Sequence, residues 1–113
     1  MKWCIQYSAQ AKEDLQSIYE YVSGELLEPD TAVSLMRTIM EEISTLNDMP
    51  LRYRLFESEP WASKGVRIFP VGKYIVLYQP EENRLAVNII RIMYGGRDIA
   101  KQLDDLPQPN ESI

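Results

Sequence analysis

The stretch that most constrains the fold is residues 85–94, the longest strand candidate in the chain. Alternate residues of a strand point to opposite faces of a sheet. Here both sets are mostly apolar: Leu85, Val87, Ile89, Arg91 and Met93 on one parity, and Ala86, Asn88, Ile90, Ile92 and Tyr94 on the other. The pattern predicts a central strand with one face covered and the other partly covered.

Three further stretches also alternate with a period of two. Residues 66–71 and 74–79 flank a tight turn at Gly72 and Lys73, and residues 80–83 form a second turn rich in turn-forming residues before 85–94. Together with residues 85–94, the stretches 66–71 and 74–79 are therefore predicted to form a three-stranded meander. Residues 2–7 set Trp3, Ile5 and Tyr7 against polar neighbours and predict an additional N-terminal strand, in which we expect Cys4 to be a small buried residue.

Two helices are predicted between the first strand and the meander. Ser8 is the expected N-cap of a helix over residues 9–23, with Glu13 and Asp14 placed where the helix dipole favours them. Asp30 is the expected cap of a second helix, which ends by residues 47–50 because a residue before proline avoids the α region. Residues 51–64 show no period and are expected to be a loop.

The order of these elements defines the predicted fold. It is an α+β domain in which an antiparallel sheet, the N-terminal strand plus a three-stranded meander, packs against a two-helix hairpin. Asp98 is expected to cap a short C-terminal helix ending at Pro107. The sequence thus predicts one domain over residues 1–106 and a flexible tail over residues 107–113.

The composition excludes several kinds of site. The chain has no histidine and one cysteine, so a zinc site and a Cys–His nucleophile are not expected, and no cofactor is predicted. No apolar run reaches the roughly 18–20 residues that cross a bilayer, and residues 1–7 lack the apolar region of a signal peptide. We therefore expect a cytoplasmic protein without a membrane partner.

Charge is distributed unevenly along the chain. The net charge is −5, but residues 1–50 hold 3 basic and 9 acidic side chains, whereas residues 51–101 hold 9 basic and 5 acidic ones. The acidic whole argues against general nucleic-acid binding. The basic segment is either a local surface for acidic or anionic partners or a set of solvated edge and loop charges.

Five pieces of the sequence, taken in order, resemble the RelE/ParE superfamily of toxins from type II toxin–antitoxin systems. They are residues 7–22, 46–50, 65–67, 72–78 and 90–98, the last reading Ile-Arg-Ile-Met-Tyr-Gly-Gly-Arg-Asp. The resemblance covers roughly residues 3–103. It implies the family's fold, no cofactor, and a complex with a cognate antitoxin protein.

Members of this superfamily differ in their targets, so the resemblance leaves the target open. ParE-like members inhibit DNA gyrase, and RelE-like members cleave mRNA on the ribosome. Where RelE-like members carry an arginine and a late tyrosine or histidine, this chain has Ile75 and Leu103. The resemblance is therefore closer to ParE and implies a non-catalytic gyrase inhibitor with a role in plasmid stabilization. An mRNA endoribonuclease and an inactive antitoxin-binding module are the alternatives.

The candidate site residues follow from that resemblance and from the charges. If the chain is a nuclease, its catalytic residues are expected among Arg67, Arg91, Arg97 and Tyr94. The predicted partner-binding residues are Arg67, Lys73, Arg91, Arg97 and Trp61, and no metal ligands are predicted.

Structural roles remain open for the same residues. Arg91 could be a partnered charge within its strand, Arg97 could pair with Asp98 at the helix start, and Trp61 could fold onto the domain. Tyr74, Val76 and Tyr78 alternate as a core-facing stripe would.

Overall fold

The structure is a computed structural model that describes residues 2–57 and 59–95. Strand β1 (Cys4–Tyr7) leads into helix α1 (Ala9–Glu20), a π-helical turn (Tyr21–Glu25) and helix α2 (Pro29–Ser44), which a 3₁₀ turn (Thr45–Asn47) ends. After an irregular loop follow β2 (Arg67–Val71), β3 (Tyr74–Glu81), a 3₁₀ turn (Glu82–Arg84) and β4 (Ala86–Tyr94). The predicted order of two helices and four strands is confirmed, and the fold class is α+β.

The sheet is mixed, so the prediction of a purely antiparallel sheet is wrong. Its strand order is β1-β4-β3-β2, in which β2, β3 and β4 form the predicted antiparallel meander, but β1 pairs with β4 in parallel. The helical hairpin explains the direction, because α2 returns the chain to the end of the sheet where β1 starts. There Trp3 N donates to Asn47 O at 2.8 Å. Strand β2 then runs in the direction of β1, and two reversals give β4 that direction again.

Helix boundaries follow local chemistry at the first helix but not at the second. The Ser8 hydroxyl accepts a hydrogen bond from Ala11 N, which confirms it as the N-cap of α1. Helix α2 begins at Pro29, one residue before the predicted cap, and Glu28 is the N-cap residue without a side-chain cap bond. Proline fits the first helical turn because its missing N–H has no intrahelical acceptor there, so Asp30 lies inside the first turn instead.

The main core lies between the two helices and one face of the sheet. Its largest fully buried members include Ile39 and Ile43 of α2, Phe69 of β2 and Tyr78 of β3. Tyr74, Val76 and Tyr78 all belong to this core, Tyr74 being only partly buried, as their alternation predicted. Cys4 is exposed rather than buried, since it lies on the outer face of a short edge strand.

A β-bulge exchanges the two faces of β4 along its length. Leu77 pairs with Arg91 but Tyr78 pairs with Ile89, so β4 has one extra residue at this point. Ile89 and Ile92 consequently both face the helices, whereas Ile90 and Met93 face the opposite side. The predicted assignment of one parity to each face is therefore wrong beyond the bulge.

The loop between α2 and β2 covers the second face of the sheet. A second buried cluster there contains Phe56, Trp61 and Val66 from the loop region, packed on residues of the strands, which are Ile68, Leu77, Ile90 and Met93 with Ile75 partly buried. Phe56 N donates to Val66 O at 2.8 Å and fixes the loop to the start of β2. Both faces of β4 are covered as a result. The expected C-terminal helix, the domain end at residue 106 and the tail lie outside the described residues.

Two glycines differ in backbone conformation, although an added Cβ would meet nothing within 4 Å at either one. Gly72, in the β2–β3 turn, has φ +58, a conformation that strains other residues, whereas Gly24 has ordinary backbone angles and nothing within 4 Å of an added Cβ. We expect Gly72→Ala to lower the free energy of unfolding by about 1–2 kcal/mol. Gly24→Ala should leave it unchanged or slightly raised. Urea denaturation of the two variants checks this pair, and equal effects would contradict it.

Candidate functional site

Arg91 is held by an ion pair with Asp14 of α1. Its Nε donates to Asp14 Oδ2 at 2.7 Å and its Nη2 donates to Oδ1 at 3.0 Å, a two-point contact between side chains that are 13% and 9% exposed. Asp14 Oδ2 also accepts a hydrogen bond from Ile92 N at 2.9 Å. Strand β1 stops at Tyr7, opposite Ile89, so this carboxylate satisfies an edge of β4 that β1 no longer pairs.

Arg67 is also bonded to the protein. Its Nη1 donates to Tyr53 O at 2.6 Å and to Leu51 O at 3.3 Å, which fixes the loop to the first residue of β2. The side chain is only half-buried, so part of the guanidinium faces solvent. Arg67 therefore combines a structural role with some free capacity for an anionic partner.

Lys73 and Tyr94 lie together at the opposite end of the sheet. Gly95 N, next to Tyr94, donates a hydrogen bond to Lys73 O at 2.9 Å. The side chains of Lys73 and Tyr94 are both exposed. The Tyr94 ring packs edge to face on Tyr74 with centroids 6.0 Å apart. Arg67 is four residues of β2 away from the turn, about 13 Å at the usual rise per residue. The predicted residues thus do not converge on one point.

The remaining two candidates have different outcomes. Trp61 is 4% exposed and packs on the second face of the sheet, so it is a core residue in this structure. Arg97 lies outside the described residues, as does its proposed pairing with Asp98. Among residues 2–57 and 59–95 there is no group of three potential metal-ligating side chains. Within the same ranges no helix is long and apolar enough to cross a membrane.

Tyr74 and Tyr78 of the sheet stay protonated near neutral pH and are therefore poor proton acceptors. Burial raises the pKa of Tyr78 to about 12, although the nearby Arg67 guanidinium partly opposes the increase. Burial, followed by the neighbouring Tyr94 and Tyr21, raises the pKa of Tyr74 above its ordinary value. What the described surface offers is exposed cations and aromatic rings, which suit binding better than proton transfer.

Comparison with protein families gives a match along most of the chain. The family described as "ParE toxin of type II toxin-antitoxin system, parDE" matches residues 5–99. The chain belongs to the ParE toxin family. This confirms the predicted resemblance to the RelE/ParE superfamily with its closer similarity to ParE. No match is found among curated protein sequences.

Solved structures show that the ParE fold is shared more widely. A chain of the chromosomal ParDE system from P. aeruginosa is similar, with a TM-score of 0.68, 21% identity, and coverage of 82% of this chain and 96% of that one. A chain of the RelBE2 toxin–antitoxin complex from Mycobacterium tuberculosis has a TM-score of 0.59, 19% identity and coverages of 83% and 99%. The isolated E. coli RelE toxin has a TM-score of 0.59 and 10% identity, with coverage of 90% of this chain and 94% of that one. These similarities concern the fold alone.

Asp14 is the residue of this ParE-family site that sequence reasoning placed wrongly. The predicted interaction with the helix dipole is wrong for both Glu13 and Asp14, because α1 starts at Ala9 and has no acidic residue in its first turn. A signal was present, because Asp14 lies three residues after Ala11 and four before Ile18, on the apolar stripe of the helix. A carboxylate on a buried stripe requires a partner.

Tyr78 should give this ParE-family protein a stability loss at high pH. Its hydroxyl donates to Pro50 O at 2.7 Å. Its folded-state pKa of about 12 lies above the ordinary value of 10.0 for a tyrosine hydroxyl. The stabilisation is therefore complete below pH 10 and is lost as the pH rises through about 12.

The variant Tyr78→Phe tests that assignment. We expect a loss of about 1 kcal/mol near neutral pH from the hydrogen bond. The decline in unfolding free energy above pH 10 should also be shallower than in the wild type. Part of the decline should remain, because the pKa values of Tyr7 and Tyr74 are also raised. Urea denaturation at several pH values measures both. An identical high-pH decline in the two proteins would contradict the role given to Tyr78.

Proposed function

We propose that this chain is the toxin of a type II toxin–antitoxin pair, that it inhibits DNA gyrase by binding, and that a cognate antitoxin neutralises it. The observation that carries the proposal is the match of residues 5–99 to the ParE toxin family. The chemistry of the described residues supports inhibition by binding rather than by bond cleavage.

Cleavage of RNA through its own 2′-hydroxyl needs a base, an acid and cations at the phosphate. In this chain the Arg91 guanidinium forms an ion pair with Asp14, and the Arg67 guanidinium donates hydrogen bonds to two backbone carbonyls. Ile75, where nuclease relatives are expected to carry an arginine, packs against the second core cluster. Because burial raises the pKa values of Tyr74 and Tyr78, both hydroxyls stay protonated at neutral pH and cannot act as the base. These observations all favour the ParE-like function.

A ribosome-dependent mRNA endoribonuclease is the second candidate. Exposed Lys73 and Tyr94 at one end of the sheet favour it, since a cation and an aromatic ring are suited to a phosphate and a base. The structural similarity to RelBE2 and to RelE is compatible with it as well.

A paired assay with the pure chain separates the candidates. One arm measures DNA supercoiling by gyrase, and the other measures mRNA cleavage on translating ribosomes. We expect inhibited supercoiling and intact mRNA. Cleavage that disappears in the Arg97→Ala variant would instead establish the nuclease. No effect in either arm, together with no growth arrest on expression, would indicate an inactive antitoxin-binding module.

The antitoxin partner is tested by co-expression with the product of the neighbouring gene. The structures of ParDE and RelBE2 above are toxin–antitoxin systems, which supports a hetero-oligomer for this chain too. Among the predicted partner-binding residues that the structure describes, the exposed Lys73 and the half-buried Arg67 are suited to acidic antitoxin side chains. A complex that purifies intact is expected, and its affinity should fall for Lys73→Glu. Failure of the two proteins to co-purify would contradict this part of the proposal.

A further inference from the structure

The connection between the two helices exposes apolar and acidic side chains together. We call this surface the acidic tip and define it by Tyr21, Leu26 and Leu27 with Glu20, Glu25 and Glu28. The apolar three are 55%, 49% and 79% exposed. Between Lys12 and Arg37 the sequence contains no basic residue. Among the described residues, none of the tip carboxylates takes part in an ion pair.

Leu27 breaks two local rules at once. It has φ 55, in the left-handed region that Gly and Asn occupy most readily. It is also the most exposed large apolar residue in the part of the chain that the structure describes. The chain reaches it through the π-helical turn Tyr21–Glu25, an element that is frequent at functional sites. A residue that adopts a backbone conformation or an exposure unfavourable for its type, with no gain in core packing, is expected at a surface that has a function.

A second surface has the complementary character. The segment after α2 exposes Met49, Leu51 and Leu55 at 60%, 49% and 45%, interleaved with exposed Arg52 and Arg54. We call it the basic patch. Arg52 is oriented by a hydrogen bond to Thr45 Oγ1 and by the Tyr53 ring, 5.1 Å from its guanidinium carbon. Among residues 2–57 and 59–95, the Arg54 guanidinium forms one ion pair, a long contact of 3.8 Å with the exposed Glu57.

The two surfaces lie at opposite ends of α2. That helix has 16 residues, so it separates the tip from the patch by about 24 Å at 1.5 Å per residue. The surfaces of one molecule therefore cannot meet, although those of two molecules can. Each supplies apolar side chains and one sign of charge, which is the arrangement that steers and orients an association.

We propose that the acidic tip of one copy binds the basic patch of another copy in a head-to-tail contact. The contact buries Leu27 against the apolar residues of the patch and pairs tip carboxylates with Arg52 and Arg54. Because it joins two different surfaces, each copy keeps one free end, so association is open rather than limited to a dimer. The small area predicts weak, salt-sensitive association. This proposal does not depend on the gyrase proposal.

Sedimentation velocity of the pure chain over a range of concentrations and salt tests the contact. The wild type should show a sedimentation coefficient that rises with concentration at low salt and less at high salt. Leu27→Asn, which suits the backbone at this position, should weaken association by about tenfold or more. Arg54→Glu should weaken it comparably. Met40→Gln, an exposed apolar position on α2, is the matched control and should behave as the wild type.

Mixing the two variants gives the sharpest result. Leu27→Asn retains the patch and Arg54→Glu retains the tip, so an equimolar mixture should form one intact contact and a discrete 1:1 dimer. A contact between two tips would instead be unaffected by Arg54→Glu and would not be restored by mixing. A wild type that stays monomeric at every concentration, or a mixture that does not associate, would overturn the proposal.

Discussion

Asp14→Ala should lower the free energy of unfolding by about 3–5 kcal/mol, the range for removing one partner of a buried ion pair. The substitution leaves the Arg91 guanidinium, 13% exposed, without its carboxylate. It also removes the acceptor of Ile92 N–H, a buried donor on the unpaired edge of β4. The effect is large because one carboxylate serves both the charge and the backbone.

Urea denaturation of matched variants checks this result. Glu13→Ala, at the exposed neighbouring position, is the control and should change stability by less than about 0.5 kcal/mol. The double variant Asp14→Ala/Arg91→Met should recover part of the loss, because the unpaired charge is gone. A loss below about 1 kcal/mol for Asp14→Ala would show that the carboxylate does not hold Arg91 and Ile92.

Trp61→Ala should cost about 3–5 kcal/mol, the usual range for truncating a buried tryptophan. Trp61 is 4% exposed and packs in the cluster that joins the irregular loop to the second face of the sheet. Its carbonyl also accepts hydrogen bonds from Lys64 N and Val66 N, both at 3.1 Å, at the turn that leads into β2. Removing the ring leaves a cavity in this buried cluster.

The same variant separates a core role from a partner-binding role for Trp61. The control is Met49→Ala, at a 60% exposed position in the same connection, where a loss within about 0.5 kcal/mol is expected. Thermal and urea unfolding measure both variants. A Trp61→Ala protein that unfolds like the wild type but no longer binds its antitoxin would contradict the packing role and support the predicted partner contact.

Much of the fold could be predicted from periodicity because each core stripe is local. The Ala11–Leu15–Ile18 stripe and the alternation of Tyr74, Val76 and Tyr78 each record which face is buried. Strand direction is not local. The parallel pairing of β1 with β4 depends on where the hairpin returns the chain. The bulge at Ile90 also has no signature in an apolar run, since any of its residues could be the additional one.

The candidate site was harder to predict because charge alone does not show whether a side chain is free. A partnered charge was one of the two roles considered for Arg91, but the acceptors of Arg67 and Arg91 lie 14 and 77 residues away in the sequence. For Trp61, in a segment without periodicity, both a partner contact and folding onto the domain were open, and the packing of that segment on the sheet shows that the side chain is buried. Lys73 and Tyr94 are exposed, and their predicted contribution to partner binding stays a prediction.

The gyrase proposal is tested most directly by titrating the pure chain into a DNA supercoiling reaction catalysed by gyrase. The destabilised Asp14→Ala variant is the control for folded structure. We expect supercoiling to fall with increasing wild-type protein, to fall less with Asp14→Ala, and to recover when the co-purifying antitoxin is added. Unchanged supercoiling at a molar excess of folded wild-type chain would contradict the proposal.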